Sequence, residues 1–567
     1  MFRTAELGQK LSKKDYKKIE PVLRQELLEA QRQLGSLAQT PVIIIFAGVD
    51  GAGKGSTVNL LNEWMDTRWL INRAYRNATD EESERPEFWR YWRDLPPKGR
   101  INLFLNSWYS KPLLDRAYGN ISMTVLDEHL DQILAFENTL ANDGALILKF
   151  WMHLSRRAQK TRYKALEKDP LLRWKVTETD WEHWHHYDAF IGAAERIIMR
   201  TNTEKARWNI IEGVDNKFSS VHIATIIRDA LRRQINGVLE SRALENNVFE
   251  SNVIENTVIE NTALENNKTT PPPPSIVATD INSYADADQQ AIQKTTPQTI
   301  DTNANTEKVD KTSHPLIHVS PQKTVLSQLD MSATLNKSSY KSQLKAYQAR
   351  LNLLHREAMQ AGLPTIVVFE GPDAAGKGGA IRRVIPALDP HRYQVLPFAA
   401  PTDEERAQHY LWRFWRRLPR AGHLNVFDRS WYGRVLVERV EGFATEQQWN
   451  RAYSEINAFE EQLIAHGSVL IKYWIHITQE EQLVRFNARQ NTPYKNWKLT
   501  DEDWRNREKW SEYEAAAHDM VQYTSTHPAP WVLVAGNNKY HARITVLKTL
   551  VSYLETALHK PSNKNLK

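Results

Sequence analysis

The feature that most constrains this chain is a long internal repeat. A constant separation of 323 residues links Gly48 to Gly371 and runs without a gap to Trp208 and Trp531. The matched residues in between include Lys54 and Lys377, Thr79 and Thr402, Trp89 and Trp412, Pro96 and Pro419, Trp108 and Trp431, His153 and His476, and Trp174 and Trp497. Chance does not hold so many Trp and Gly residues in one register over roughly 160 residues, so the pattern indicates duplication of a complete domain.

The duplication predicts two homologous domains, residues 1–235 and 332–567, joined by a linker, residues 236–331. From position 240 to position 330 the chain holds thirteen Asp or Glu residues against six Lys or Arg, together with four consecutive prolines at 271–274. A polar, acidic, aromatic-poor segment cannot bury enough surface to offset its chain entropy, so we expect the linker to be disordered. The five-residue repeat at 243–267 has too few copies to close the core of a solenoid.

Composition sets the remaining limits. Hydrophobic residues make up 41% of the 567, which is enough for sizeable cores, and the absence of cysteine excludes disulfides, thiolate zinc sites and cysteine nucleophiles. No window approaches the ~20 apolar residues of a membrane helix, and the N-terminus lacks the apolar core of a secretory signal. We therefore expect a cytoplasmic protein with no membrane partner. Because the linker is acidic and the net charge is +6, the folded parts are basic.

Both copies show the same alternation of strands and helices. A polar helical segment, 15–37 or 338–361, precedes an apolar run, VIIIFAG or TIVVFEG, and then a Gly-rich turn. Further strand-like runs follow at INLFL and HLNVFD, ALILKFWMHL and SVLIKYWIHI, and WNIIEG and WVLVAG. Strands that are apolar along their whole length and alternate with helices predict an α/β fold with a parallel sheet covered on both faces.

A phosphate-binding turn follows the first strand of each copy. Gly371 to Gly378 reads GPDAAGKG and Gly48 to Gly55 reads GVDGAGKG, both of which fit G-x-x-x-x-G-K between a strand and a helix. The glycines let successive N–H groups point at phosphate oxygens, and the lysine supplies a cation. Glycine replaces the usual Ser or Thr after the lysine, while Asp373 and Asp50 stand inside the loops. A carboxylate beside phosphates indicates that it holds Mg²⁺ or orients a phosphoryl group.

Only the second copy has a second carboxylate at the end of a neighbouring strand. Its sequence there is Asp428-Arg429-Ser-Trp-Tyr-Gly-Arg434, whereas the first copy has Leu105 and Asn106 in place of the first two residues. Phosphoryl transfer needs acids and cations near the transferred group, and leucine cannot bind a cation. We therefore predict that the first domain keeps its fold but has lost most or all catalysis.

Two basic clusters in the second copy suggest a polyanion. Five arginines fall within fifteen residues: Arg406, Arg413, Arg416, Arg417 and Arg420. A later polar segment, interpreted as a lid, carries Arg485, Arg489, Lys495 and Lys498. Such density suits a substrate that accepts many charged contacts, although a solvated helical face is the alternative for either cluster. The interleaved tryptophans could also suggest nucleic acid, but their repetition in both copies favours a packing role, so we expect no nucleic-acid partner.

Taken together, these motifs resemble the polyphosphate kinase type 2 family. The resemblance rests on GPDAAGKGG, PTDEER, WRFWRRLP, FDRSWYGRVLVERVEG and the segment ending at APW, and it covers both copies but not the linker. The two-domain arrangement is similar to the class of that family whose members transfer phosphoryl groups to AMP. The resemblance implies tandem P-loop kinase-like three-layer α/β/α domains with helical lids, Mg²⁺ dependence, transfer from inorganic polyphosphate to AMP to give ADP, and a homo-oligomer.

The resemblance also implies residue roles. Asp373 and Asp428 are expected to hold Mg²⁺ and orient phosphate, with Lys377, Arg429 and Arg434 as the other catalytic groups. The phosphate-binding set comprises Gly371, Ala374, Ala375, Gly376, Gly378, Arg485, Arg489, Lys495 and Lys498, and the five-arginine cluster is expected to form a polyphosphate track. Transfer to ADP or GDP giving triphosphates, the reverse reaction that extends polyphosphate, and a non-catalytic polyanion-binding protein remain alternatives.

Overall fold

The structure is a computed structural model that describes residues 1–75, 77–170, 172–266, 324–491 and 501–559. Contacts group Met1–Val238 with Pro321–Lys567 in one compact unit and Leu239–Ser320 in a second. The compact unit therefore contains both copies of the repeat. Among the described residues, none of the helices combines the length and apolar character needed to span a bilayer.

Each repeat is built on one parallel sheet of five strands. The first sheet has the order β2-β3-β1-β4-β5 and the second the equivalent order β7-β8-β6-β9-β10. The strands are β1 (Val42–Gly48), β2 (Leu70–Ala74), β3 (Ile101–Leu105), β4 (Leu146–His153), β5 (Trp208–Glu212), β6 (Thr365–Glu370), β7 (Tyr393–Pro397), β8 (Leu424–Asp428), β9 (Val469–His476) and β10 (Trp531–Ala535). The parallel α/β fold predicted from the sequence is confirmed.

Helices cover both sheets. In the first repeat they are α1 (Lys13–Leu37), α2 (Lys54–Trp64), α3 (Asp80–Ser83), α4 (Trp89–Arg93), α5 (Ser110–Ala117), α6 (Met123–Asn142), α7 (Arg156–Lys168), α8 (Glu178–His185), α9 (Tyr187–Thr201) and α10 (Asn216–Asn266). In the second repeat they are α11 (Lys337–Gln360), α12 (Lys377–Val384), α13 (Asp403–Arg406), α14 (Trp412–Trp415), α15 (Val437–Val440), α16 (Glu446–Ala465), α17 (Gln479–Gln490), α18 (Asp501–Glu508), α19 (Trp510–Thr524) and α20 (Lys539–His559).

The edge strands β2 and β7 were absent from the sequence prediction. Both are only five residues long and lie at an edge of their sheets, and β7 ends in a proline. Their sequences, LINRA and YQVLP, interrupt apolar with polar residues and are more exposed than the edge strands β5 and β10, so they lack the apolar run by which the other strands were recognised.

The structure differs from the linker prediction at both ends of residues 236–331. Helix α10 continues through the five-residue repeat as far as Asn266. At the other end, Leu326 is 1% exposed within a short 3-10 turn, and the backbone N–H of Val325 donates to His518 Nδ1 at 3.1 Å. This turn corresponds to the buried turn at Phe2–Ala5 of the first repeat, so the second repeat begins before residue 332. Residues 267–323 lie outside the described residues.

The two repeats pack against each other through equivalent residues. Trp92 of α4 stacks on Trp415 of α14 with ring centroids 5.6 Å apart, and both side chains are buried. Arg420 of the second repeat pairs with Glu84 of the first at 2.5 Å. Equivalent tryptophans that meet face to face give this interface the local arrangement of a two-fold dimer.

Candidate active site

The Gly-rich loop of the second repeat joins β6 to α12. Gly371 has φ +145°, and a Cβ there would lie 2.3 Å from the carbonyl oxygen of Ile475 on β9, so only glycine fits without displacing that strand. The Lys377 ammonium donates to the carbonyl oxygen of Gly371 at 2.5 Å and lies 3.5 Å from that of Pro372. The strand, tight loop and lysine at the helix start have the arrangement of a phosphate-binding loop. Gly376, Ala374, Ala375 and Gly378 lie in the loop or the first turn of α12, as the sequence places them.

Asp373, in the loop, contacts residues at the end of β8 and in helix α18. Helices α18 and α19 follow the segment interpreted as a lid and are termed the lid helices. Asp373 Oδ1 lies 3.2 Å from Arg429 Nη2, and its Oδ2 accepts a hydrogen bond from Asn506 Nδ2 at 2.9 Å. Burial raises the pKa of Asp373, but the cations of Lys377 and Arg429 outweigh this effect and hold the pKa below its ordinary value. The carboxylate is therefore ionised and fixed in orientation.

Asp428 is the last residue of β8 and stands in register with Phe369 of the neighbouring strand β6. The next residue, Arg429, has φ +67°, a left-handed conformation that is uncommon for a residue other than glycine and that turns its side chain toward the loop acid. The sequence prediction that acids follow the ends of adjacent strands is consistent with this placement.

A cavity of about 830 Å³ opens beside the loop. Its polar lining includes Glu370, Asp373, Lys377, Arg429, Glu502 and Asn506, and its apolar lining includes Leu326, Leu436, Val437, Trp474 and Trp510. Asp428 is not among the lining side chains. The cavity therefore has both a charged lining, which includes loop residues, and an apolar lining, which includes Leu326 of the short turn.

The carboxylates near the loop are the possible Mg²⁺ ligands of the second repeat. Among the described residues, no group of three or more His, Asp or Glu side chains is arranged to hold a metal ion. Mg²⁺ in phosphoryl-transfer sites needs only one or two carboxylates, because substrate phosphates and water complete its shell. Asp373 supplies a hard carboxylate oxygen in the cavity, and Asp428 is the last residue of the adjacent strand β8. These acids are therefore compatible with Mg²⁺ bound together with phosphate.

Sequence reasoning missed two buried titratable groups in this cavity. Glu370, the last residue of β6, accepts a hydrogen bond from Ser430 Oγ at 2.7 Å, and burial raises its pKa despite the nearby Lys377. His476, at the end of β9, has a pKa lowered to about 4 by burial. The first repeat has Ala47 in place of Glu370, and this difference between the copies was the signal that could have identified the glutamate.

Arg485, predicted to bind phosphate, is hydrogen-bonded to oxygens of the protein itself. Its guanidinium donates to the carbonyl oxygens of Ala374 and Ala375 at 2.9 and 2.8 Å and to those of Gly536 and Asn537 at 2.6 and 3.0 Å. Its Nε also donates to the carboxylate of Glu481 at 2.6 Å. Carbonyl and carboxylate oxygens occupy these donors, so Arg485 braces the loop. Its side chain also lines a cavity beside the loop, and its contact with phosphate stays a prediction.

Arg489 lies in a different cavity from Asp373. This second cavity, of about 780 Å³, is lined by the loop at Ala374–Gly376 and by Arg485, Arg489 and Arg543. Arg489 is therefore not among the side chains that line the first cavity. Lys495 and Lys498 lie outside the described residues.

Arg434 and the five-arginine cluster are not among the side chains that line the loop cavity. Arg434 pairs with Glu438 at 3.1 Å and lies over the ring of Tyr410. In the cluster, Arg406 pairs with Asp403, Arg413 with Glu405, Arg416 with Glu404, and Arg420 with Glu84 across the repeat interface, whereas Arg417 is exposed. Four of the five arginines thus already have carboxylate partners, which a polyanion would have to displace.

The loop acid of the first repeat, Asp50, has different partners from Asp373 of the second. Asp50 Oδ1 lies 3.2 Å from Lys54 Nζ, and Asp50 Oδ2 lies 2.6 Å from His183 Nδ1. Burial raises the pKa of Asp50, but these two partners hold it well below its ordinary value, and the hydrogen bond that His183 donates to Asp50 raises the pKa of His183. The loop lysine and the acid therefore neutralise each other. A cavity of about 1830 Å³ adjoins this loop, but Leu105 ends β3 where Asp428 ends β8.

Comparison with known proteins identifies the family of this chain and several relatives. The family model Polyphosphate kinase 2 matches residues 10–236 and 334–562, one match in each repeat. The chain is 42% identical to a polyphosphate:AMP phosphotransferase of Pseudomonas aeruginosa, over 99% of this chain and 100% of that protein. It is 39% identical over 226 residues, 40% of this chain and 77% of the relative, to a GDP-polyphosphate phosphotransferase of Mycobacterium tuberculosis.

A solved structure of a polyphosphate kinase 2 from Pseudomonas aeruginosa superposes with a TM-score of 0.78 at 39% identity, covering 98% of this chain and 99% of that one. The fold and the lysine-bearing loop define a phosphate-binding α/β protein built from two tandem kinase-like repeats. The chain belongs to the polyphosphate kinase 2 family.

Proposed function

We propose that this protein transfers the terminal phosphoryl group of inorganic polyphosphate to AMP, forming ADP, and that the second repeat alone does so. The observation that carries the proposal is the difference between the two loops. In the second repeat Asp373, Lys377 and Arg429 meet in one cavity beside the strand that ends in Asp428. In the first repeat the loop acid is paired with the loop lysine. Relatives that span the whole chain are named for AMP as acceptor.

The reaction needs positioning and charge stabilisation rather than a covalent enzyme intermediate. An oxygen of the AMP phosphate attacks the terminal phosphorus of the chain. A new P–O bond forms, the bond to the bridging oxygen breaks, and the shortened polyphosphate keeps the electron pair. Because the acceptor phosphate is already ionised near neutral pH, no side chain has to remove a proton from it.

Each residue then has a proposed part. Lys377 and the loop amides hold donor phosphate, and Arg429 stabilises the charge that spreads over the transferred group. Asp373 and Asp428 would hold Mg²⁺, which when bound neutralises phosphate charge between donor and acceptor. The role predicted for Arg434 stays a prediction, because the structure pairs it with Glu438 outside the cavity.

The second cavity offers a path for the donor chain. Arg489 and Arg543 line it together with residues 374–376 of the same loop. Phosphates of the donor chain beyond the one that is transferred would meet cations there. We propose this face, rather than the carboxylate-paired arginines at 406–420, as a contact surface for polyphosphate. The substrates and the absence of cysteine favour a cytoplasmic location, and the homo-oligomer implied by the resemblance stays a prediction.

The acceptor is tested by offering polyphosphate and Mg²⁺ with AMP, ADP, GMP or GDP in separate reactions and resolving the products by chromatography. We expect AMP to be converted to ADP faster than any other acceptor is phosphorylated. Conversion of ADP or GDP without conversion of AMP would replace the proposal with triphosphate formation. Absence of any phosphorylated nucleotide would favour a polyanion-binding protein.

Paired lysine substitutions test which repeat is active. Lys377→Ala is expected to lower kcat by at least about 100-fold, because it removes a cation that faces the donor phosphate. The equivalent change, Lys54→Ala, is expected to leave kcat within about 2-fold of wild type, since Asp50 already neutralises Lys54. Initial rates of ADP formation at saturating substrates are the measurement. Equal losses from the two changes would contradict a single working centre.

A further inference from the structure

A continuous set of polar contacts in the second repeat connects the loop acid to the lid helices. Asn506 on α18 donates from Nδ2 to Asp373 Oδ2 at 2.9 Å. The carbonyl oxygen of the same amide lies 3.2 Å from the hydroxyl of Tyr513 on α19, which donates to it. Because an amide donates only from its nitrogen, the tyrosine fixes which end of Asn506 faces the acid.

The other end of these contacts is Glu441, which follows α15. Its side chain is only 8% exposed, and its Oε2 lies 3.4 Å from Arg505 Nε and 3.3 Å from Lys509 Nζ. Its Oε1 lies 3.4 Å from the Tyr513 hydroxyl, whose single hydrogen is shared between this oxygen and Asn506 Oδ1. This nearly buried carboxylate contacts side chains of α18, of α19 and of the residue between them. These contacts stabilise the position of both helices.

The tyrosine is suited to donate rather than accept. Burial raises the pKa of Tyr513, and the carboxylates of Glu441 and Asp373 raise it further. The hydroxyl therefore keeps its proton at physiological pH. Asn506 does not titrate at all, so the bond between lid and loop acid in this repeat involves no protonation change.

The first repeat lacks every member of this set. Tyr118 stands where Glu441 does, and the positions of Arg505, Asn506, Lys509 and Tyr513 hold Glu182, His183, His186 and Phe190. There His183 contacts Asp50 directly at 2.6 Å, and Tyr118 packs with its ring centroid 4.8 Å from that of His186. The whole set thus occurs only in the repeat with both acids.

We propose that Asn506, Tyr513 and Glu441 form a positioning network that fixes the carboxylate of Asp373 for phosphoryl transfer only when helices α18 and α19 are docked. With Oδ2 held by Asn506 and Oδ1 by Arg429, the carboxylate presents its remaining lone pairs in fixed directions. Undocking of the lid removes one of these two restraints. The network acts through Asp373 and touches no reacting atom, so its members are positioning residues. This inference rests on the proposed function of the second repeat.

The test uses Tyr513→Phe and Glu441→Gln in the full chain, with Tyr118→Phe in the first repeat as the matched control. We expect both network variants to lower kcat by about 10- to 100-fold, the range typical of groups that orient a ligand side chain. Amide hydrogen exchange across residues 501–513 should become faster in both, while exchange in strands β6, β8 and β9 and the melting temperature stay at wild-type values. Tyr118→Phe should match wild type in all measurements.

Three outcomes separate the claims. If wild type forms ADP and the network variants have its kcat and its exchange pattern, the positioning network is wrong. If their loss of activity comes with faster exchange across the whole second sheet, the residues serve folding, and the inference is equally overturned. If wild type itself phosphorylates no nucleotide, the proposed function has failed, whereas faster exchange confined to 501–513 would still support the docking contact.

Discussion

Replacing Asp428 with asparagine is expected to lower kcat for ADP formation from polyphosphate and AMP by about 1000-fold or more. Asparagine keeps the size of the side chain but removes the negative charge, and with it the capacity to share a cation with the donor and acceptor phosphates. The residue ends β8 beside the loop strand β6, so the change acts next to the loop that is proposed to hold the donor phosphate. Initial rates with AMP, polyphosphate and Mg²⁺ are the measurement.

The control for this change is Asp50→Asn, the same chemical replacement at the loop acid of the first repeat. It removes an ion pair with Lys54 and His183, so a small loss of stability is expected, but no loss of kcat. Urea unfolding of Asp428→Asn should give a free energy within about 0.5 kcal/mol of wild type, as for substitutions without a buried partner. An Asp428→Asn protein that keeps a tenth or more of wild-type activity would refute the role assigned to this acid.

The second large effect concerns stability rather than catalysis. Lys472→Met is expected to lower the free energy of unfolding by about 3–5 kcal/mol, because it leaves a buried carboxylate without its cation. Lys472 Nζ lies 2.7 Å from Glu460 Oε2, and neither side chain is more than 1% exposed. The ammonium also donates to the Tyr432 hydroxyl at 3.0 Å and to the carbonyl oxygen of Thr524 at 2.8 Å. Urea denaturation followed by far-UV circular dichroism is the measurement.

The first repeat contains the same buried pair, which provides a matched comparison. Lys149 lies 2.7 Å from Glu137 and donates to the Tyr109 hydroxyl and the Thr201 carbonyl at 3.0 and 2.8 Å. Lys149→Met should therefore destabilise the protein by a similar amount while leaving kcat of the folded fraction unchanged. A loss below about 1 kcal/mol in either variant, the size of one ordinary hydrogen bond, would show that the pair does not hold these domains together.

The two repeats share the residues that stabilise the fold but differ in the residues proposed to act in catalysis. The buried lysine, glutamate and tyrosine are the same in both repeats, with the same partners and nearly the same distances. The strand-end acid, Asp428, and the lid set around Glu441 occur only in the second. Packing constraints act on both copies, since each must bury its own sheet, whereas the chemistry requires only one complete site.

Much of this was available from the sequence. The strand, turn and lysine of each loop follow from the spacing of apolar residues and glycines, which depends on backbone geometry and on the steric limit at Gly371. The loss of Asp428 in the first copy is visible by comparing Asp428 with Leu105. Charged side chains were harder to place. The sequence did not reveal the protein oxygens that Arg485 and four of the arginines at 406–420 meet, and the phosphate contacts of these residues stay a prediction.

The duplication, the parallel α/β fold and the repeat that keeps both predicted acids follow from the order of the amino acids alone. The partner of each charged side chain became known only from the folded structure. Arg485 meets the carbonyl oxygens at 374 and 375 and at 536 and 537, Arg420 meets Glu84 of the other repeat, and Asn506 meets Asp373. The physical reason is that strand and turn formation depend on neighbours along the chain, whereas a buried or half-buried charge takes whichever partner folding brings within about 3 Å.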